Sequence, residues 1–209
     1  MYKVSILFLL MFCQEPGLFS QQTPGDSTIK KWAFAASSYY YIIPGQSNTL
    51  SLIGYADRNA LHLEGRYNYE DHKTGSLFAG WRFETGNKLV LGLTPMLGLV
   101  LGNTDGIAPA IEIDASFKIF DYYSETEYVI DFSGSENNYL YTWGELGIAP
   151  FNSFRTGISF QRTKLYQFGF DVQRGIFAEY QFWKITTGLY FFDPFSNNQF
   201  LIALLRFEF

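Results

Sequence analysis

Charged side chains alternate with apolar ones along much of this chain, and they are the residues whose chemistry most needs an explanation. In the stretch from Ala60 to Glu70, the polar residues His62, Glu64 and Arg66 occupy every second position, while leucine, glycine and tyrosine occupy the positions between them. We call each such set of alternate positions one parity of the strand. A period of two places the two sets on opposite faces of a β-strand. The polar parity of such strands could line an ion pathway or form internal ion pairs. The candidate lining residues are Glu64, Arg66, Arg82, Glu84, Glu112, Asp114, Glu125, Glu127, Asp131, Arg155, Asp171, Glu179 and Arg206.

Catalytic chemistry has little support in the sequence. The histidines are His62, on the polar parity beside Glu64, and His72, in a predicted turn. Neither accompanies a nucleophile motif of the kind that acyl-transfer enzymes use. We find no metal-ligand spacing and no phosphate-binding loop. The sequence therefore predicts a protein without enzymatic activity, metal or cofactor, in which His62 has a structural role.

The elements that must position these side chains are strands. From Trp32 onward, short alternating segments are separated by turn residues, which predicts about twelve strands, with ten or fourteen as alternatives. Lys88 to Gly102 and Gly106 to Ile119 are longer than an ordinary strand of about 5–6 residues. Their length fits a tilted membrane strand of about 9–11 residues that continues beyond the bilayer. We expect Pro95 and Pro109 to mark bulges.

The sequence also predicts a further turn, one long strand and a set of facing charges. We predict a turn at Phe120-Asp121, which leaves Lys118 on the polar parity, and one long strand from Tyr166 to Phe182. Glu64 and Arg66 are expected to face Arg82 and Glu84 on the next strand.

The amino-acid composition indicates what surrounds the two faces of each predicted strand. Charged residues make up 17% of the 209 residues and aromatic residues 20%, while mean hydropathy is only -0.02. Transmembrane barrels have such a composition because half of each strand faces a polar interior, and a charge on the lipid side costs about 2–4 kcal/mol near the midplane. A net charge of -5 argues against nucleic acid as a partner. The alternative is a soluble lipocalin-like or β-sandwich protein, with the leucine ladder in its core.

The first residues are typical of a secreted protein. Residues 1–20 are predicted to be a cleavable signal peptide, with Lys3 before a short apolar stretch. Residues 21–31 form a polar leader, and residues 32–209 form the barrel domain. Lipidation at Cys13 is the alternative, although Phe12 is larger than the residue that normally precedes a lipidated cysteine.

The C-terminal stretch gives the most specific signal. Leu201, Ala203, Leu205, Phe207 and Phe209 share one parity, with Arg206 and Glu208 between the last three. This pattern resembles the closing strand of bacterial outer-membrane β-barrels, in which a terminal Phe and alternate apolar residues form an assembly signal. The resemblance implies an antiparallel transmembrane barrel whose assembly signal is Phe207 and Phe209. It also implies outer-membrane lipid and the barrel assembly machinery as partners, and a monomer in the outer membrane of a Gram-negative bacterium, reached through the periplasm.

The resemblance extends to compact monomeric channels of the oligosaccharide-porin kind, whose lumens are basic and suit acidic sugars. Here carboxylates outnumber cationic side chains on the polar parity. Such a lumen would instead favour cationic solutes. We therefore predict a narrow porin-like channel for small polar or cationic solutes. A closed barrel filled with ion pairs and an outer-membrane lipid-modifying enzyme are the alternatives.

Overall fold

A computed structural model describes residues 31–162 and 172–209, which form one closed antiparallel β-barrel of twelve strands. Each strand pairs with the next in sequence, and the last pairs with the first. The strands are β1 (Ala33–Ile42), β2 (Thr49–Arg58), β3 (Leu61–Tyr67), β4 (Gly75–Trp81 and Phe83–Thr85), β5 (Leu89–Leu101), β6 (Gly106–Phe117), β7 (Phe120–Asp131), β8 (Tyr139–Phe151), β9 (Phe154–Arg162), β10 (Gln173–Phe182), β11 (Ile185–Phe192) and β12 (Phe200–Glu208). The predicted fold class and strand number are confirmed.

The two ends of the barrel differ in their connections. At one end, called the turn end, tight turns use Asn59, Lys118 and Trp183 in the left-handed region, at φ of 55°, 56° and 55°. At the other, called the loop end, longer segments connect the strands and include a single 3-10 turn, Ser135–Asn137. Strands β1 and β12 bring both chain ends of the barrel to the turn end, where the Phe209 amide donates to the Phe34 carbonyl over 2.9 Å. No helix among the described residues is long and apolar enough to cross a lipid bilayer.

Burial follows the predicted parity closely along β5. Leu91, Leu93 and Leu97 point outward and are 40–59% exposed, whereas Thr94 and Val100 point inward and are almost completely buried. An apolar outer surface around a partly polar interior is the arrangement of a membrane barrel. A soluble sandwich would place the leucines in its core, so the structure contradicts that alternative.

Pro95 in β5 and Pro109 in β6 do not mark the bulges that the sequence predicts between these strands. Pro95 pairs in register with Ile111, and Leu97 with Pro109, so neither proline creates a bulge between these strands. Because proline has no amide hydrogen, it interrupts the ladder on its other side instead. Strand β4 is accordingly interrupted at Arg82, directly after the residue opposite Pro95, without a change of register. The register shift that does occur lies between Phe154 and Thr156, where β9 meets β8.

Two further boundaries differ from the prediction. The turn after β6 is Lys118-Ile119 rather than Phe120-Asp121, because Phe117 and Phe120 are register partners. Lys118 therefore lies in an exposed turn and not on the interior face. The predicted strand from Tyr166 is seen from Gln173 onward. Its beginning, Asp171, the predicted signal peptide and most of the polar leader lie outside the described residues.

Candidate functional site in the barrel interior

The inward parity of β3, β6 and β7 places five of the thirteen predicted charged residues in one buried group that includes Arg66. Its guanidinium Nη1 lies 2.6 Å from Glu125 Oε1, 3.1 Å from Glu127 Oε2 and 3.5 Å from Glu70 Oε1. Arg66 Nε donates to Glu64 Oε2 over 2.5 Å. Side-chain burial is essentially complete for Arg66 and its four partners. One guanidinium therefore binds four carboxylates that come from opposite parts of the barrel wall.

Aromatic rings complete the surroundings of Arg66. The guanidinium carbon lies 4.1 Å from the centre of the Phe78 ring and 4.8 Å from that of Tyr69. A cation over an aromatic face gains about 2 kcal/mol or more when both are desolvated. The Tyr69 hydroxyl also donates to Glu125 Oε2 over 3.0 Å. These contacts hold the guanidinium in the middle of the barrel.

His62 lies next to this group, towards the turn end. Its Nδ1 is 2.6 Å from Asp57 Oδ1, and its Nε2 is 2.7 Å from Glu64 Oε1 and 3.9 Å from Glu112 Oε2. Glu112 Oε1 accepts a hydrogen bond of 2.7 Å from the Tyr123 hydroxyl. We call His62, Glu64, Arg66, Glu70, Glu112, Glu125 and Glu127 the Arg66 cluster. It holds five carboxylates and a single guanidinium.

A second buried group surrounds Arg155 on β9. Its Nη1 lies 2.5 Å from Glu145 Oε2 and 3.2 Å from Glu179 Oε2, and its Nε donates to Asp121 Oδ1 over 2.9 Å. The guanidinium also lies 4.6 Å from the centre of the Phe177 ring. We call Arg155, Asp121, Glu145 and Glu179 the Arg155 cluster. As in the Arg66 cluster, carboxylates outnumber the cation.

An aromatic cluster lies on the loop-end side of the Arg155 cluster and consists of Tyr39, Trp143, Phe177, Tyr190, Phe192 and Phe200. The Trp143 ring centre is 6.1 Å from that of Tyr39, 5.3 Å from Tyr190 and 5.6 Å from Phe192. Its indole nitrogen donates to Glu145 Oε1 over 2.9 Å. Strands β1 and β8 lie almost opposite each other in the barrel, so the Tyr39–Trp143 contact crosses the interior and narrows it.

The remaining predicted charges sit nearer the rim. Arg82 contacts Asp114 at 2.9 Å and Glu84 at 3.7 Å, and Gly92 on the intervening strand leaves room for the Asp114 carboxylate. Asp131 ends β7, where its carboxylate accepts the Ser133 amide.

The structure can be compared with two further predictions, the orientation of Arg206 and the partners of Glu64 and Arg66. Arg206 points inward, as expected, and its Nε donates to Ser37 Oγ over 3.1 Å. Glu64 and Arg66 do not face Arg82 and Glu84, because their register partners on β4 are Phe78 and Ser76. That prediction was wrong.

Sequence reasoning missed several residues of these clusters. The sequence predicts a turn at Asp121, and the candidate residues include neither Glu70 nor Glu145, although Glu70 shares the parity of Glu64. The parity of Glu145 also holds Tyr141 and Trp143, whose rings suggest a lipid-facing side. Because rings fill this part of the interior, aromatic content does not distinguish inside from outside on β8.

The predicted assembly signal lies on the outer surface. Phe207 and Phe209 are 38% and 71% exposed. Phe207 pairs with Ala36 on β1 and with Ile185 on β11. Their side chains are therefore available to lipid or to a protein partner.

Comparisons with known proteins show similarity of fold. No protein family and no curated protein matches the sequence. Among solved structures, the KdgM porin matches with a TM-score of 0.61 at 11% identity, covering 84% of this chain and 99% of that one. The KdgM porin in complex with disordered oligogalacturonate gives a TM-score of 0.60 at 10% identity, with the same coverage. The outer membrane protein Omp33 of Acinetobacter baumannii gives 0.50 at 13% identity, covering 85% and 97%. The chain thus shares its fold with these proteins over most of its length.

Proposed function

We propose that the protein is a narrow porin-like channel of the outer membrane that favours small cationic or polar solutes. The observation that carries this proposal is the excess of carboxylates inside a closed barrel. The Arg66 cluster combines five carboxylates with one guanidinium and one imidazole, and the Arg155 cluster places three carboxylates around another guanidinium. An interior of one sign with low-dielectric walls concentrates the opposite ion.

The membrane location rests on the outer surface and on the fold. Leucines and aromatic rings cover the outside of the strands, as outer-membrane barrels require. The similar solved structures include outer-membrane proteins at nearly full length. We assign the chain to the outer membrane of a Gram-negative bacterium, where it arrives through the periplasm and inserts as a monomer.

Deletion of Phe209 tests this assignment. We expect less folded protein in the outer membrane and unchanged export, because the deletion removes the exposed aromatic side chain that follows β12 and the hydrogen bond from its backbone amide to the Phe34 carbonyl. The measurement is the amount of heat-modifiable barrel in outer-membrane fractions. Phe195→Ala, at an exposed position in a loop-end connection, is the control and should change nothing. Equal membrane levels for the deletion and the control would contradict an assembly role.

The solute class follows from charge. The KdgM porin has been solved with oligogalacturonate, a chain of acidic sugars. The carboxylate excess here would repel such a polyanion, since few cations in the described interior remain to receive it. A cation or a neutral polar solute meets no such barrier, so the two barrels would differ in solute despite their common fold.

Ion selectivity is the experimental test of the channel. Reversal potentials across a salt gradient should show cation preference, which should weaken at high salt because the screening length falls from about 30 Å at 0.01 M to about 3 Å at 1 M. Combining Glu125→Gln with Glu127→Gln should reduce the preference. Glu136→Gln, in an exposed loop-end connection, is the matched control. Anion preference in the unmodified protein would refute the proposal. The same cation preference in the unmodified protein, the double variant and Glu136→Gln would refute it as well.

A closed structural barrel is the second candidate, and the contacts that cross the interior favour it. Arg66 meets Glu127 and Tyr39 meets Trp143 across the barrel, and all four side chains are almost fully buried. Absence of any conductance would support this candidate. His62 gives no support to a hydrolase of the serine type. In the described residues, both ring nitrogens of His62 face carboxylates rather than a hydroxyl.

A further inference from the structure

We propose that His62, Glu64 and Glu112 form a binding site for one divalent transition-metal ion, with Zn²⁺ as the ion that fits best. One ligand atom from each side chain lies within 4.8 Å of the other two. Zinc ligands lie about 2.0–2.2 Å from the metal, so three of them stand within about 4 Å of one another. Small rotations of the Glu64 and Glu112 side chains would bring the three atoms to that spacing.

Asp57 prepares the imidazole for metal binding. Its Oδ1 lies 2.6 Å from His62 Nδ1, so an imidazole that binds metal through Nε2 would keep its ring proton on Nδ1, where Asp57 accepts it. The lone pair of Nε2 then points to Glu64 and Glu112. Metal-bound histidines almost always have such an outer carboxylate or carbonyl on the second nitrogen. Asp57 thus acts as a positioning residue outside the ligand set.

Charge in the Arg66 cluster supplies an independent reason for a bound cation. The cluster holds five carboxylates, one guanidinium and one imidazole in a buried interior, and an unbalanced buried charge costs several kcal/mol. Glu70 and Glu127 are almost fully buried, yet Glu70 Oε2 and Glu127 Oε1 have no hydrogen-bond partner among the described residues. A divalent ion on Glu64 and Glu112 would offset two of these negative charges. The carboxylates of the cluster thus outnumber its guanidinium and imidazole together, and a bound cation would reduce this excess.

The ligands of the proposed site come from two strands and lie near solvent. His62 and Glu64 point inward from β3. Glu112 reaches the same point from β6, so an ion would connect two strands that are not neighbours. The side chain of Asp57 is 47% exposed, which places the site close to solvent at the turn end.

The ligand set selects among ions. One imidazole with two carboxylates suits zinc and neighbouring transition metals, whereas magnesium and calcium prefer oxygen ligands and higher coordination numbers. We expect a zinc site that magnesium does not occupy at similar concentrations.

Zinc titration of the full chain, refolded in detergent, tests the site. Calorimetry should show one saturable Zn²⁺ per chain, and Co²⁺ in its place should give the visible absorption of a four-coordinate nitrogen and oxygen site. Glu112→Gln and His62→Gln should weaken binding at least tenfold. Asp57→Asn should weaken it about 10–100-fold, as outer-shell changes usually do. His72→Ala removes the other histidine, which lies exposed in a loop-end connection, and should bind zinc normally.

Two results of the binding measurements would overturn the proposed zinc site, whether or not the barrel conducts ions. One is an absence of saturable zinc binding in the unmodified protein, and the other is unchanged affinity in Glu112→Gln. Heat-modified mobility on a gel confirms that each variant is folded, and the glutamine in Glu112→Gln keeps the size of the side chain. Nitrogen NMR gives a separate criterion, because His62 protonated on both ring nitrogens at saturating zinc would also exclude coordination.

Discussion

Replacing Arg66 with methionine is expected to lower the free energy of unfolding of the refolded barrel by about 3–5 kcal/mol. The methionine removes the one guanidinium that contacts Glu64, Glu70, Glu125 and Glu127, and it leaves those carboxylates buried without a cation. Breaking a buried ion pair from one side is costly because the remaining charge keeps its desolvation penalty. Denaturant titration of the refolded protein in detergent measures the loss.

The control for Arg66 is an arginine at the rim. Arg82→Met removes the contacts to Asp114 and Glu84, but the Arg82 side chain is 24% exposed and partly hydrated. We expect a loss of about 0–1 kcal/mol there, as for exposed pairs. Adding Glu125→Gln and Glu127→Gln to Arg66→Met should recover part of the lost stability, since the uncompensated charges are then fewer. Equal effects at the two arginines would contradict a central role for the Arg66 cluster.

Replacing Trp143 with alanine is expected to raise the single-channel conductance severalfold. The indole spans the space between β8 and Tyr39 on the opposite wall and packs on Tyr190 and Phe192. Truncating a buried aromatic ring leaves a cavity and typically costs about 3–5 kcal/mol of stability. In a barrel interior that cavity adds to the open cross-section, so ions should pass more easily. Planar-bilayer recordings of the folded fraction measure the change.

Trp81 provides the matched control for this experiment. It is also a tryptophan on a strand, but its side chain points outward and is 53% exposed. Trp81→Ala should leave the conductance unchanged, because the interior cross-section is the same. An equal conductance for the unmodified protein and Trp143→Ala would show that the constriction lies elsewhere.

The period-two pattern was sufficient to predict the strands and the parity of most charged residues. Glu64, Arg66, Glu112, Glu125 and Glu127 all point inward, because a charge on the lipid face would be far more costly. The same rule correctly predicted that the leucines of β5 lie outside. Alternation along one strand is a local property, so it can be read from the sequence without knowledge of strand pairing.

The partners of those charges could not be predicted in the same way. Arg66 binds Glu125 and Glu127 on β7, which is not adjacent to β3, and curvature of the closed sheet brings them together. Pairing of near neighbours in sequence therefore suggested the wrong partners. The aromatic cluster was missed for another reason. Phe200 of this cluster shares the inward parity of β12 with Ile202 and Leu204, while Leu201 and Leu205 face outward, so both parities are apolar.

Single-channel recording of the refolded, unmodified protein in planar bilayers tests the central claim most directly. A narrow, acidic channel predicts small discrete current steps whose reversal potential in a salt gradient shifts towards that of the cation. Bilayers that remain electrically silent after insertion of heat-modifiable barrel, or steps that select anions, would contradict it.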